Sequence, residues 1–102
     1  MGIDARIESE TGEAIEVLYD LDDLVILLLP EFNDKTSICL RFIDPYGDTT
    51  FNQAQLPVVI QELSLAIDKA SSSNVIAHGQ KLLELAENAN GQVHTYLKFV
   101  GD

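Results

Sequence analysis

Ile3, Ala5 and Ile7 alternate with Asp4, Arg6 and Glu8, the two-residue period of a strand with one buried face. Glu10-Thr11-Gly12 interrupts the pattern as a turn, where Gly12 can take a positive φ. Alternation then resumes, with Ile15, Val17 and Tyr19 set against Ala14, Glu16 and Leu18, so the two runs predict a hairpin. A helix through Glu13–Leu18 competes, because Glu, Ala and Leu favour it. Asp20 next stands at an N-cap position, with Asp22 and Asp23 in a first turn whose dipole favours carboxylates. The helix predicted there runs through Leu29 and stops before Pro30, which disfavours helical backbone in its predecessor.

Ser37 to Ile43 has the cleanest alternation in the chain: Ile38, Leu40 and Phe42 on one side, Cys39, Arg41 and Ile43 on the other. A strand is predicted. The corner Asp44-Pro45-Tyr46-Gly47-Asp48 follows, then a short strand from Thr49 to Asn52. Pro45 presets φ, Asp44 can bond the turn backbone, and Gly47 is assigned a positive φ. A helix from Pro57 places Val59, Leu63, Ala66, Ile67 and Ala70 on one face, until the Ser71–Asn74 break. A further helix from Val75 carries Ile76, Gly79, Leu82, Leu83, Ala86 and Ala89 on one stripe, and Gly91 is expected as its left-handed C-cap. Val93 to Val100 closes the chain as a strand, with Val93, Thr95, Leu97 and Phe99 on one side.

The predicted order is β-β-α-β-β-α-α-β: an α+β domain spanning residues 1–102, with a mostly antiparallel sheet of about five strands and helices on one face. Length permits one domain with one modest core. The single cysteine excludes an internal disulfide. The longest apolar run, LVILLL at residues 24–29, falls far short of the roughly 20 residues of a membrane span. The opening MGIDARIESE is acidic where a secretion signal is basic, so a cytoplasmic protein is expected.

Charge is the strongest global signal. Seventeen acids against six bases leave a formal charge of −11. Such a surface repels phosphate backbones and anionic lipid, which argues against nucleic acid and membranes as partners. It serves solubility, and it also steers toward a basic partner.

Catalytic chemistry lacks parts. The glycines match neither a phosphate loop nor a dinucleotide fingerprint, and one Cys with two His gives no closed metal set. Neither a metal nor a cofactor is expected. The acids at residues 20–23 read as a helix start, and His78 and His94 as surface or satisfied residues. Cys39 reads as a buried filler. If all the strands share one sheet, the face away from the helices carries Arg6, Cys39, Arg41, His94, Tyr96 and Lys98, with Asp4, Glu8 and Glu16 among them. Cross-strand ion pairing explains that face, and a partner-binding face anchored on Arg41 and Tyr96 is the alternative. Asp44 and Asp48 face each other across the corner, with Tyr46 at its tip, but two carboxylates are too few for a Ca²⁺ site.

The block Cys39–Thr49, CLRFIDPYGDT, with Phe51-Asn52 after it, resembles a group of small bacterial proteins without an assigned activity. In that group a strand-turn-strand block leads into a helix, and a segment like Tyr96–Asp102 closes the chain. The resemblance implies a bacterial, single-domain, cytoplasmic protein and brings no residue role with it.

Together these features lead to a non-catalytic protein-interaction module, in its most specific form an immunity-type or antitoxin-like inhibitor of a basic partner. Candidate partner-binding residues are Arg41, Asp44, Tyr46, Asp48, Tyr96 and Lys98. The alternative is a small-molecule site near Tyr46, Arg41 and Tyr96. A homodimer formed by pairing of a Val93–Val100 edge strand is compatible with either.

Overall fold

The structure is a computed structural model that describes residues 2–102. Four strands form one antiparallel sheet: β1 (Asp4–Ser9), β2 (Ala14–Leu18), β3 (Asp48–Phe51) and β4 (Thr95–Val100), in the spatial order β2-β1-β4-β3. Two helices, α1 (Leu56–Lys69) and α2 (Ser73–Asn90), join the sheet in one core. Ala5, Ile7, Leu97 and Phe99 supply the sheet's inner face; Leu56, Val59, Leu63, Leu82, Leu85 and Ala86 supply the helices' inner stripes. Each fully buried Leu or Phe removes enough apolar surface to contribute about 2–3 kcal/mol. That alternation is what the sequence pattern encodes in β1 and β4, whose buried positions fall every second residue apart from Glu8, which is also buried.

The hairpin is correct, and residues 14–18 are strand rather than helix. β2 ends the sheet, so its side chains stay exposed apart from Leu18, which packs against the core. α1 begins where Asn52 and Gln55 exchange side-chain-to-backbone hydrogen bonds, at 2.9 and 3.0 Å, and Pro57 sits where no amide is needed. α2 begins at Ser72, whose hydroxyl accepts from the Val75 amide. The helices pack tightly at Gly79, where a Cβ would lie 2.8 Å from Ile67 Cγ1.

Several expectations are corrected. Residues 37–43 form no strand: Cys39, Leu40 and Ile43 are buried while Ile38 and Phe42 are exposed. Burial at i, i+1 and i+4 is helical spacing, and Leu40–Phe42 is one 3₁₀ turn. Residues 20–29 are not an α-helix either. Asp23 lies at φ 56°, which breaks the run, and only Val25–Leu28 coils, as a 3₁₀ turn. Its three-residue period puts Val25 and Leu28 inward and Ile26 and Leu27 outward. The sheet therefore has four strands, not about five.

Smaller corrections concern single residues. β4 starts at Thr95, and Val93 is exposed outside it, because His94 takes φ 61° and turns the chain. β4 lies between β1 and β3, so it offers no edge for self-pairing; β2 and β3 are the edges. Gly91 caps α2 at φ −84°, in the right-handed region. Gly12 takes the positive φ expected of it, at 86°, and Gly47 does not.

Candidate interaction surface

Between β2 and β3 the chain runs through twenty-nine residues, 19–47, without a strand or α-helix. Two carboxylates hold this stretch in place. Asp20, 3% exposed, accepts from the amides of Leu24 (2.8 Å), Ile3 (3.0 Å) and Val25 (3.1 Å). Its own amide donates to Asp4 Oδ1 at 2.8 Å. Asp20 is not the expected cap of an α-helix, since none forms there; its carboxylate instead holds amides four and five residues on, at the start of the 3₁₀ turn. Glu62, from α1, accepts from the Ser37 hydroxyl and from the amides of Cys39 (2.8 Å), Ile38 (3.1 Å) and Leu40 (3.3 Å). Successive amides pointing one way form an anion-binding nest, here filled by the protein's own side chain.

Backbone held by side chains need not obey an amphipathic period, so apolar residues on such a stretch can face solvent. Among the described residues, twelve large hydrophobic side chains are exposed, and ten of them lie between Ile15 and Tyr46; Leu65 and Val93 are the others. Leu27, Leu65 and Lys69 help line a groove of about 340 Å³ whose floor includes Leu40 and Glu62. Phe32 and Phe42 meet edge to face beyond it, with centroids 6.3 Å apart. The Arg41 guanidinium lies 4.5 Å over the Phe42 ring. At the groove mouth the Thr36 hydroxyl and amide bond to Asp34, holding its carboxyl below the usual carboxylate range.

The charge is one-sided along the first half of this stretch, up to Asp34. No Lys or Arg occurs between Arg6 and Lys35, a span holding nine of the seventeen acids. This base-free run was readable in the sequence, although global charge alone does not locate it.

The residues singled out from sequence do not form one site. Arg6, Glu8, Tyr96 and Lys98 do lie on the sheet face away from the helices, with Arg6 beside Lys98 and Glu8 beside Tyr96 in register. That face neutralises itself. Arg6 Nε is 2.6 Å from Glu8 Oε2, and Lys98 Nζ is 3.3 Å from Asp48 and 3.7 Å from Glu8. Cys39 and Arg41 are not on it, because their segment is no strand. Glu16 pairs with Ile7 and so belongs to the helix side of the edge. His94 sits in the turn before β4, 2.7 Å from Glu10.

Asp44 and Tyr46 belong to a braced corner. Asp44 Oδ1 accepts from the Tyr46 amide at 2.9 Å, as a turn-forming Asp does. The chain's last residues pack on this corner: Gly101 and Asp102 donate to the carbonyls of Gly47 (2.7 Å) and Pro45 (3.0 Å). A Cβ on Gly101 would lie 2.4 Å from the Pro45 carbonyl, so only glycine fits. The Pro45-Tyr46-Gly47 corner and the closing segment are one structural unit. Tyr46 itself projects from it, 82% exposed. Tyr96 lines a separate hollow with Glu10, Asn52, Gln53 and His94, and neither Arg41 nor Tyr46 reaches it.

Reactive groups are few. Burial, and then the nearby Glu62 carboxylate, push the Cys39 thiol up, the opposite of what a nucleophile needs. His78 Nε2 is buried 3.7 Å from Asp20 Oδ1, but that carboxylate is already committed to backbone amides. Among the described residues no three His, Cys, Asp or Glu side chains converge on a metal position. No helix among them is long and apolar enough to cross a membrane. No protein-family model, curated protein or solved structure matches the chain.

Proposed function

We propose that the chain is a non-catalytic protein-binding module for a basic partner, in the manner of an immunity-type or antitoxin-like inhibitor. Its binding surface is the stretch from Ile15 to Tyr46, not the Tyr96–Lys98 sheet face. One observation carries this reading: the exposed apolar side chains and the base-free acidic run overlap over residues 15–34, where seven of the former and six acids share twenty residues. Exposed apolar anchors on a segment rich in one sign of charge suit a protein partner of the opposite sign, because anchors give affinity and charge gives selection and rate. Of the residues chosen from sequence, Arg41 and Tyr46 fall within this stretch, with Arg41 stacked on Phe42. Asp44 serves the turn backbone, while Asp48 and Lys98 are engaged in ion pairs, and Tyr96 lies on β4, two strands in from Val17 on the sheet face they share.

The small-molecule alternative gains nothing from the geometry. The corner holding Tyr46 packs on Gly101, five residues along from Tyr96, so their backbones stand about 16 Å apart.

Capture of a tagged chain from its own host tests the proposal. A basic protein is expected in stoichiometric amount at about 0.05 M salt, and largely released at about 0.5 M. The variant carrying E13K, E16K, D22K and D23N loses it at both. Asp23 takes Asn because its positive φ tolerates Asn and not Lys. A partner that salt does not release and the variant still binds contradicts the reading, as does an empty capture.

A further inference from the structure

We infer that β2 is a docking edge, and that its occupant is an extended segment of a basic protein that adds a fifth strand to the sheet. The inference rests on the basic-partner reading and names how such a partner would bind.

β2 is the last strand on its side of the sheet. The Ile3 amide donates to Asp20 and the Ser9 amide to Glu13, so every second amide of that run faces the β2 side. Ala5 and Ile7 share that parity, and they pair with Leu18 and Glu16. Val17 and Tyr19, being out of phase, turn their N–H and C=O groups away from the sheet. These outward groups are a template for one more strand.

Side chains and charge then select what can pair there. Val17 and Tyr19 are exposed on one side of the ribbon, Glu16 on the other, and Asp22 and Asp23 follow. Natural edges are guarded by Lys, Pro, bulges or short length. This edge has no Lys or Pro; it has a bulge, where pairing skips Ile15, and the guarding charge is Glu16. An acid guards selectively. A second copy brings another −11 and sets acid against acid, whereas Lys or Arg on an incoming strand pairs with Glu16. The chemistry that fits is therefore an extended segment with apolar side chains beside Val17 and Tyr19 and bases beside Glu16. The other edge, β3, is shorter, and its Asp48 is engaged by Lys98.

The probe is a fluorescent ten-residue peptide alternating valine and lysine, titrated into the intact chain and read by anisotropy. Two variants locate the edge. V17P removes an outward amide at a position where an edge strand tolerates proline, and T50P does the same on β3. Wild type and T50P are expected to bind alike, with V17P weaker by at least about tenfold. Should V17P fail to fold, peptides N-methylated at alternate residues answer instead: one of the two phases must lose binding to wild type. Equal binding by V17P, loss in T50P, or no binding up to about 1 mM overturns the inference. So does a concentration-dependent dimer of the chain that V17P abolishes, since the edge then belongs to a second copy. If V17P still retains the host partner, the edge assignment falls while the basic-partner reading stands; an empty capture removes that reading itself.

Discussion

Asp20→Ala lowers the unfolding free energy by about 4 kcal/mol, more than any substitution at an exposed position of this chain is expected to. Three amides lose their acceptor at once, those of Ile3, Leu24 and Val25, at a position that is 3% exposed. A buried donor left without a partner costs about 1–3 kcal/mol, and water reaching the gap offsets only part of it. A domain of this size is stable by about 5–15 kcal/mol in total, so the variant sits near its folding threshold. Asp20→Asn keeps one acceptor oxygen but turns a donor toward the remaining amides, and about 2 kcal/mol is expected. Urea unfolding followed by circular dichroism measures both. A loss below about 1 kcal/mol for the alanine variant contradicts the account of Asp20 as the anchor of residues 20–29.

Glu62→Ala is the second large effect, at about 3 kcal/mol. It frees four donors, the Ser37 hydroxyl and the amides of Ile38, Cys39 and Leu40. These are less deeply buried than those around Asp20, so water recovers more of the loss. The local consequence matters more than the global one. Residues 37–43 carry Ile38 and Phe42 on the proposed surface, and without Glu62 the amides of 38–40 lose the acceptor that sets the start of this segment, leaving the buried Cys39, Leu40 and Ile43 to hold it. Amide exchange at 38–40 should rise at least about tenfold more than in β4. Uniform change across the chain would mean that the nest merely adds stability and does not shape the surface.

These two carboxylates also explain what could and could not be read from the sequence. β1, β4, α1 and α2 obey a period set by their own buried faces, so alternation and 3.6-residue spacing located them; β2 alternates too, although its apolar Ile15 and Val17 are exposed. Ser37–Ile43 alternates as well as any strand, yet Glu62, over twenty residues away in the chain, gives its amides a better acceptor than a neighbouring strand would. A tertiary partner overrode a local pattern, and nothing local announces it. The LVILLL run failed for a related reason: Asp20 binds the amides of Leu24 and Val25, and Asp23 breaks the backbone ahead of them. The open face of Arg6, Tyr96 and Lys98 was legible because β1 and β4 were; Lys98 makes the expected cross-strand ion pairs, while Arg6 pairs with Glu8 along its own strand. The exposed apolar surface was not legible. Apolar residues in an apparent strand or helix read as core, and only the irregular backbone turns Leu27, Ile38 and Phe42 outward.

Where the partner binds is best measured by hydrogen exchange across the whole chain, alone and in complex with the captured basic protein. Protection is expected at Val17 and Tyr19 and across Ile26–Phe42, with Tyr96 and Lys98 unchanged. Protection confined to Tyr96, Lys98 and their neighbours on the sheet face, with Ile15–Tyr46 unaffected, contradicts the assignment of the binding surface.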